Sequence, residues 1–198
     1  MQDFNEAIRL NPKDAEAYAD RGALYAIKGD RDRAMQDFND AVRLNPNDAI
    51  AYTGRGAVYA IKGDNDRAMQ DFNEAIRLNP SDAKAYAGRG LAYATRGDIG
   101  PAMQDFNEAI RLNPNDTAAY TGRGAVYVIR GDHDRAMQDF SEAIRLNPSD
   151  DGTHFSRGLG RRNETVGLDS GRSGFNLHSR SANADLDIRQ HQRKRFLR

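Results

Sequence analysis

Along residues 49–80 the apolar side chains fall three and four positions apart, with polar ones between them, in two successive runs. The first, "AIAYTGRGAVYAIKGD", and the second, "NDRAMQDFNEAIRLNP", lack the strict alternation of a half-buried strand. The spacing predicts two amphipathic helices. Asp48 stands where the first needs an N-cap, Gly63 supplies its stop, and Asp64 caps the second. Asn79-Pro80 ends the second helix, because proline disfavours helical geometry in the residue before it.

The same two-helix pattern returns every 34 residues: "MQDF" stands at 1, 35, 69, 103 and 137, and prolines stand at 12, 46, 80, 114 and 148. All eight tyrosines fall in two further series, 18/52/86/120 and 25/59/93/127. A lone helix pair cannot bury both of its apolar faces, so neighbouring pairs must stack and share a core. The expected fold is all-α, an α-solenoid.

Tyr52, Gly56, Tyr59, Ala68, Phe72, Ala75 and Pro80, counted from Ala49, fall on the key positions of a known repeat. The set recurs as Tyr18, Gly22, Tyr25, Ala34, Phe38, Ala41 and Pro46, and again in the repeats starting at Ala83 and Thr117. On these residues the chain resembles the tetratricopeptide repeat family. The resemblance implies a right-handed superhelix of antiparallel helix pairs, with repeats at 15–48, 49–82, 83–116 and 117–150. Residues 1–14 match the second helix of a truncated repeat, 151–160 a degenerate start of a further one, and 161–198 read as a basic, poorly ordered tail.

Arg21, Arg55, Arg89 and Arg123 stand where the family most often has Leu, and each recurs with an Asp of the following helix: Asp37, Asp71, Asp105 and Asp139. A partly buried ion pair between the helices is expected. The "GRG" around Arg55, Arg89 and Arg123 lacks the preceding strand and third glycine of a dinucleotide loop, so it is read as helix interior. Glycine there costs about 0.8–1 kcal/mol relative to alanine. Its recurrence at 22, 56, 90 and 124 therefore points to close helix approach.

Composition narrows the chemistry. There is no cysteine, so thiolate catalysis, disulfides and Cys-based zinc sites are excluded. The four histidines have no helical pairing that would set two ligands on one face, and carboxylates such as Asp37 and Asp71 repeat with the scaffold. Neither cofactor nor metal site is expected, and the chain is read as non-enzymatic, with no small-molecule substrate. Charge cancels overall at 29 basic and 29 acidic residues, but 151–198 carries ten Lys/Arg against five Asp/Glu. That tail is read as solvated, or as coding sequence in a shifted frame, in preference to one that contacts nucleic acid or membrane. With no signal peptide or apolar span visible, a soluble, cytoplasmic protein is the default expectation.

The resemblance assigns binding to the concave face, lined by the first helix of each repeat. It implies Ile50, Lys84 and Ala118, then Thr53, Ala87 and Thr121, then Ala57, Leu91 and Ala125, together with Glu16, Ala19 and Ala23. Family members that bind chaperone C-terminal carboxylates use Lys, Arg and Asn at such places, and here only Lys84 fits. The expected partner is a peptide or helix of another protein, held by shape and apolar contact. The alternatives are a targeting fragment of a larger repeat-containing enzyme and head-to-tail self-association through uncapped ends. Gly56→Leu is expected to lower the melting temperature by wedging the helix pair apart; an unchanged thermal unfolding curve would contradict the packing role.

Overall fold

The computed structural model describes residues 1–149, 152–154 and 156–158. Helix α1 (Gln2–Leu10) is followed by four helix pairs: α2 (Ala15–Ile27) with α3 (Arg31–Leu44), α4 (Ala49–Ile61) with α5 (Asn65–Leu78), α6 (Ala83–Arg96) with α7 (Ile99–Leu112), and α8 (Thr117–Ile129) with α9 (His133–Leu146). Residues 152–154 and 156–158 are helical too. The expected tail at 161–198 lies outside the described residues, as does part of 151–160.

Helix ends form where the sequence placed them. Asp14, Asp48, Asp82 and Asp116 accept from backbone N–H groups of the first turn of α2, α4, α6 and α8. Gly29, Gly63, Gly97 and Gly131 adopt the left-handed φ that turns the chain from one helix to its partner. Asp30, Asp64 and Asp132 cap α3, α5 and α9 through the N–H of Arg33, Arg67 and Arg135. Asp98 makes no such bond, because the equivalent residue is Pro101, which has no N–H.

The pairs stack into an α-solenoid: each helix packs on the next, and α2, α4, α6 and α8 also touch in sequence. The second helices α3, α5, α7 and α9 do not touch one another, so the first helices line the inner side of the stack. Its core is a file of buried rings, Phe38, Phe72, Phe106 and Phe140. The Phe72 ring lies between two glycines. A Cβ on Gly56 of the same pair would meet it at 3.0 Å, and one on Gly88 of the next pair at 2.5 Å. The tighter series is therefore 54/88/122, which packs against the preceding pair, rather than the 56 series that the sequence singled out.

Gly54→Ala should accordingly destabilise the stack although alanine is the better helix former, since its Cβ would lie 2.3 Å from the buried Phe38 ring. A loss of about 1–3 kcal/mol is expected from such overpacking. Gly100→Ala, whose Cβ meets open space, should instead gain stability, and paired urea titrations would read both changes.

Candidate functional site

Each first helix is pinned by one arginine. Arg55 on α4 donates from Nε and Nη2 to both carboxylate oxygens of Asp71 on α5, each at 2.8 Å. Its remaining Nη1 donates to Asn39 of the preceding pair at 3.1 Å, and its guanidinium lies 5.4 Å from the Tyr52 ring centroid. The arrangement recurs with Arg21, Arg89 and Arg123, whose outer acceptors are Asn5, Asn73 and Asn107. The Asp71 hydrogen bonds raise the Arg55 pKa above its usual value, against the opposing pull of burial. A raised pKa means that the arginine itself gives up this stabilisation only in strong alkali, as pH rises through its folded-state value. The expected ion pair is thus present, with an inter-repeat acceptor that the sequence reading did not anticipate.

The clamp leaves one face of each first helix to solvent. On α4 that face carries Ile50, Ala57 and Ile61, which stack at seven- and four-residue spacing. Large apolar residues there are exposed to an unusual degree: Ile27, Ile50, Ile61, Leu91 and Ile129 are between 48% and 82% accessible. Lys84 and Ala118 are exposed as well, and Ala125 is half-buried.

The expected row at Thr53, Ala87 and Thr121 lies elsewhere, in the seam between neighbouring first helices. Ala87 is buried. The Thr53 hydroxyl donates to the Asp82 carboxylate at 2.7 Å, tying α4 to the cap of α6. Thr121 is hydrogen-bonded to the Thr117 carbonyl and to Thr153. Ile27, Ile61 and Ile129 were missed by the sequence reading, although an apolar residue four positions after Ala23, Ala57 and Ala125 was the available signal.

Along the rim at the ends of the first helices runs a second series of ion pairs between repeats. Lys62 reaches Asp32 at 2.7 Å, and Arg96 reaches Asp66 at 3.3 Å. Among the described residues no three His, Cys, Asp or Glu side chains are placed to hold a metal ion, and no helix is long and apolar enough to cross a membrane.

A family model described as "Tetratricopeptide repeat" matches residues 83–116 and 117–150, another of the same description matches 15–48, and a "TPR repeat" model matches 58–97. No curated protein sequence matches significantly. Among solved structures, MamA from Desulfovibrio magneticus RS-1 is 27% identical with a TM-score of 0.60, over 75% of this chain and 84% of that one. A thermophilic TPR protein of Thermus thermophilus is 22% identical with a TM-score of 0.68, over 80% and 87%. The APC/C hetero-tetramer Cut9-Hcn1 is 21% identical with a TM-score of 0.75, over 81% of this chain but 32% of the other. The last two are likenesses of fold.

Removing Arg55 strands the Asp71 carboxylate in a site where its side chain is 8% exposed. Arg55→Ala should cost about 3 kcal/mol, as for other buried pairs broken on one side. A double-mutant cycle with Asp71→Ala should show coupling of about 1–3 kcal/mol by urea unfolding, and additive losses would remove the clamp from the account.

Proposed function

The chain belongs to the tetratricopeptide repeat family, and from that premise we propose that it works as a non-enzymatic scaffold that holds a peptide or helix of a partner protein against the inner face. One observation carries the reading: Ile27, Ile50, Ile61, Leu91 and Ile129 are exposed on the first helices, while the second helices turn Phe38, Phe72, Phe106 and Phe140 into the core. Exposed apolar side chains gathered on one surface mark interaction sites, because water contact costs about 25 cal/mol per Å² that a partner could cover.

The exposed row, Ile50, Ala57, Ile61, Lys84, Leu91, Ala118 and Ala125, takes the contacts in this reading. Thr53, Ala87 and Thr121 hold neighbouring first helices in register beneath it. Small residues at Ala57 and Ala125 let a partner backbone come close, and the larger ones give it apolar anchors.

A photo-crosslinking residue placed at Ile61 should trap a partner protein in cells, whereas one at the exposed Gln70 of α5 should not. Ile61→Asp should abolish co-purification of that partner and leave the melting temperature within a degree or two, since the side chain is 55% exposed. Equal adducts at both positions, or a partner retained by Ile61→Asp, would move binding off the inner face.

A further inference from the structure

The four repeats are near copies, so the exposed positions where a single repeat departs from the others stand out. Those of the α6–α7 pair make a strip along α6, together with Lys84, whose position differs in every repeat. Lys84, Leu91 and Thr95 share the outward face of α6, where the other pairs have Glu16, Ile50 and Ala118, then Ala23, Ala57 and Ala125, then Ile27, Ile61 and Ile129. The strip runs on to the exposed Gly100-Pro101 at the start of α7, where the other pairs carry Asp32-Arg33, Asp66-Arg67 and Asp134-Arg135, while the adjoining Ile99 packs on the core.

Two details show that this is more than drift. In α4 and α8 an Ala-Val pair places the branched side chain inside, Val58 at 1% and Val126 at 0% accessibility. In α6 the order is Leu91-Ala92: Ala92 is buried at 1%, and Leu91 stands 51% exposed. A large side chain has left the core for the surface, and Met103 is buried here, whereas Met35, Met69 and Met137 are half-buried.

The second detail is electrostatic. Lys62 and Arg96 are each neutralised by an Asp of the preceding pair, Asp32 and Asp66. The equivalent partner of Arg130 is Gly100, and among the described residues Arg130 forms no ion pair. Lys84, exposed at the opposite end of α6, forms none either. Among the described residues, then, Lys84 at the start of α6 and Arg130 at the end of the neighbouring α8 are both without an ion-pair partner, and Leu91 stands midway along α6.

Resting on the inner-face reading, we propose that this strip is the specificity-determining contact and that it takes an extended, acidic segment of a partner protein. Two side-chain carboxylates of the segment meet Lys84 and Arg130, and an apolar side chain between them packs on Leu91. Twelve residues along α6, from Lys84 to Arg96, rise about 18 Å at 1.5 Å per residue, and Arg130 ends the neighbouring first helix about 8–10 Å to the side, a diagonal of about 20 Å. An extended peptide spans that distance in roughly six residues at about 3.3 Å each, which sets the spacing of the two acidic positions. The free cations attract the segment and fix its position, and the apolar contact supplies the desolvated centre.

A library of random twelve-residue peptides, displayed on phage without a free C-terminus, tests this against the full chain. Enriched peptides should carry Asp or Glu about six positions apart around an apolar residue. A synthetic peptide of that sequence should bind Lys84→Glu and Gly100→Asp about two- to fivefold more weakly, the scale of one exposed charge pair. Gly100→Asp is the discriminating variant: it restores the rim carboxylate that neutralises Arg130, in open space and at a helix start that favours an acid, so the fold should be unharmed or firmer. Enrichment of neutral or basic peptides, or unchanged binding to both variants, would overturn the proposal. If binding falls with Ile61→Asp but not with Leu91→Asp, Lys84→Glu or Gly100→Asp, the inner face binds partners and the strip is wrongly assigned. If nothing is enriched, or Ile61→Asp and Leu91→Asp both bind like the wild type, the inner-face reading fails with it.

Discussion

A charged guanidinium inside a helical stack has to be satisfied on every side, and much of this architecture follows from how that is done. Arg55 spends two donor directions on Asp71 and a third on Asn39, so one side chain joins a first helix both to its own partner and to the preceding pair. Its planar fork suits that geometry in a way a lysine would not. The same bonds recur at Arg21, Arg89 and Arg123, which gives successive junctions the same local geometry. An apolar residue at these positions would pack equally well but would carry less directional information.

The clamp depends on helices that come close, and glycine on both sides of the Phe38, Phe72 and Phe106 rings permits it. Phe72 is gripped by Gly56 of its own pair and Gly88 of the next, so intra-repeat and inter-repeat packing share one side chain. Repetition of that contact produces the inner wall, because first helices touch one another and second helices do not. With the core filled by Phe and Ala from the second helices, the outward residues of the first helices have no structural duty. Ile50, Ile61 and Leu91 stay exposed, and this is where one repeat can diverge from the rest at little cost to stability.

Much of the fold was legible in the sequence because it rests on contacts between residues close along the chain. The 34-residue period, the helix starts at Asp48 and Asp64, the left-handed turn at Gly63 and the stop at Asn79-Pro80 are all local matters of spacing and backbone preference. The Arg55–Asp71 pair was legible as well, since both members recur together within one repeat. The candidate site was legible only in part: Ile50, Ala57 and Leu91 were placed on the open face, whereas Thr53 and Ala87 were assigned to it and belong to the seam.

The sequence by itself determined the family, the helix pairs and their caps, because a strict repeat reports what each repeat requires of its own residues. Only the tertiary structure decided that Asn39 completes the clamp, that Gly54 rather than Gly56 marks the tightest approach, that Thr53 is consumed by Asp82, and that Lys62 and Arg96 reach back to Asp32 and Asp66. The reason is geometric. Identical strings present the same residues to the neighbour before and the neighbour after, so periodicity cannot say which face meets which. That is set by the rotation from one helix pair to the next, which packing between whole repeats determines and no single repeat contains.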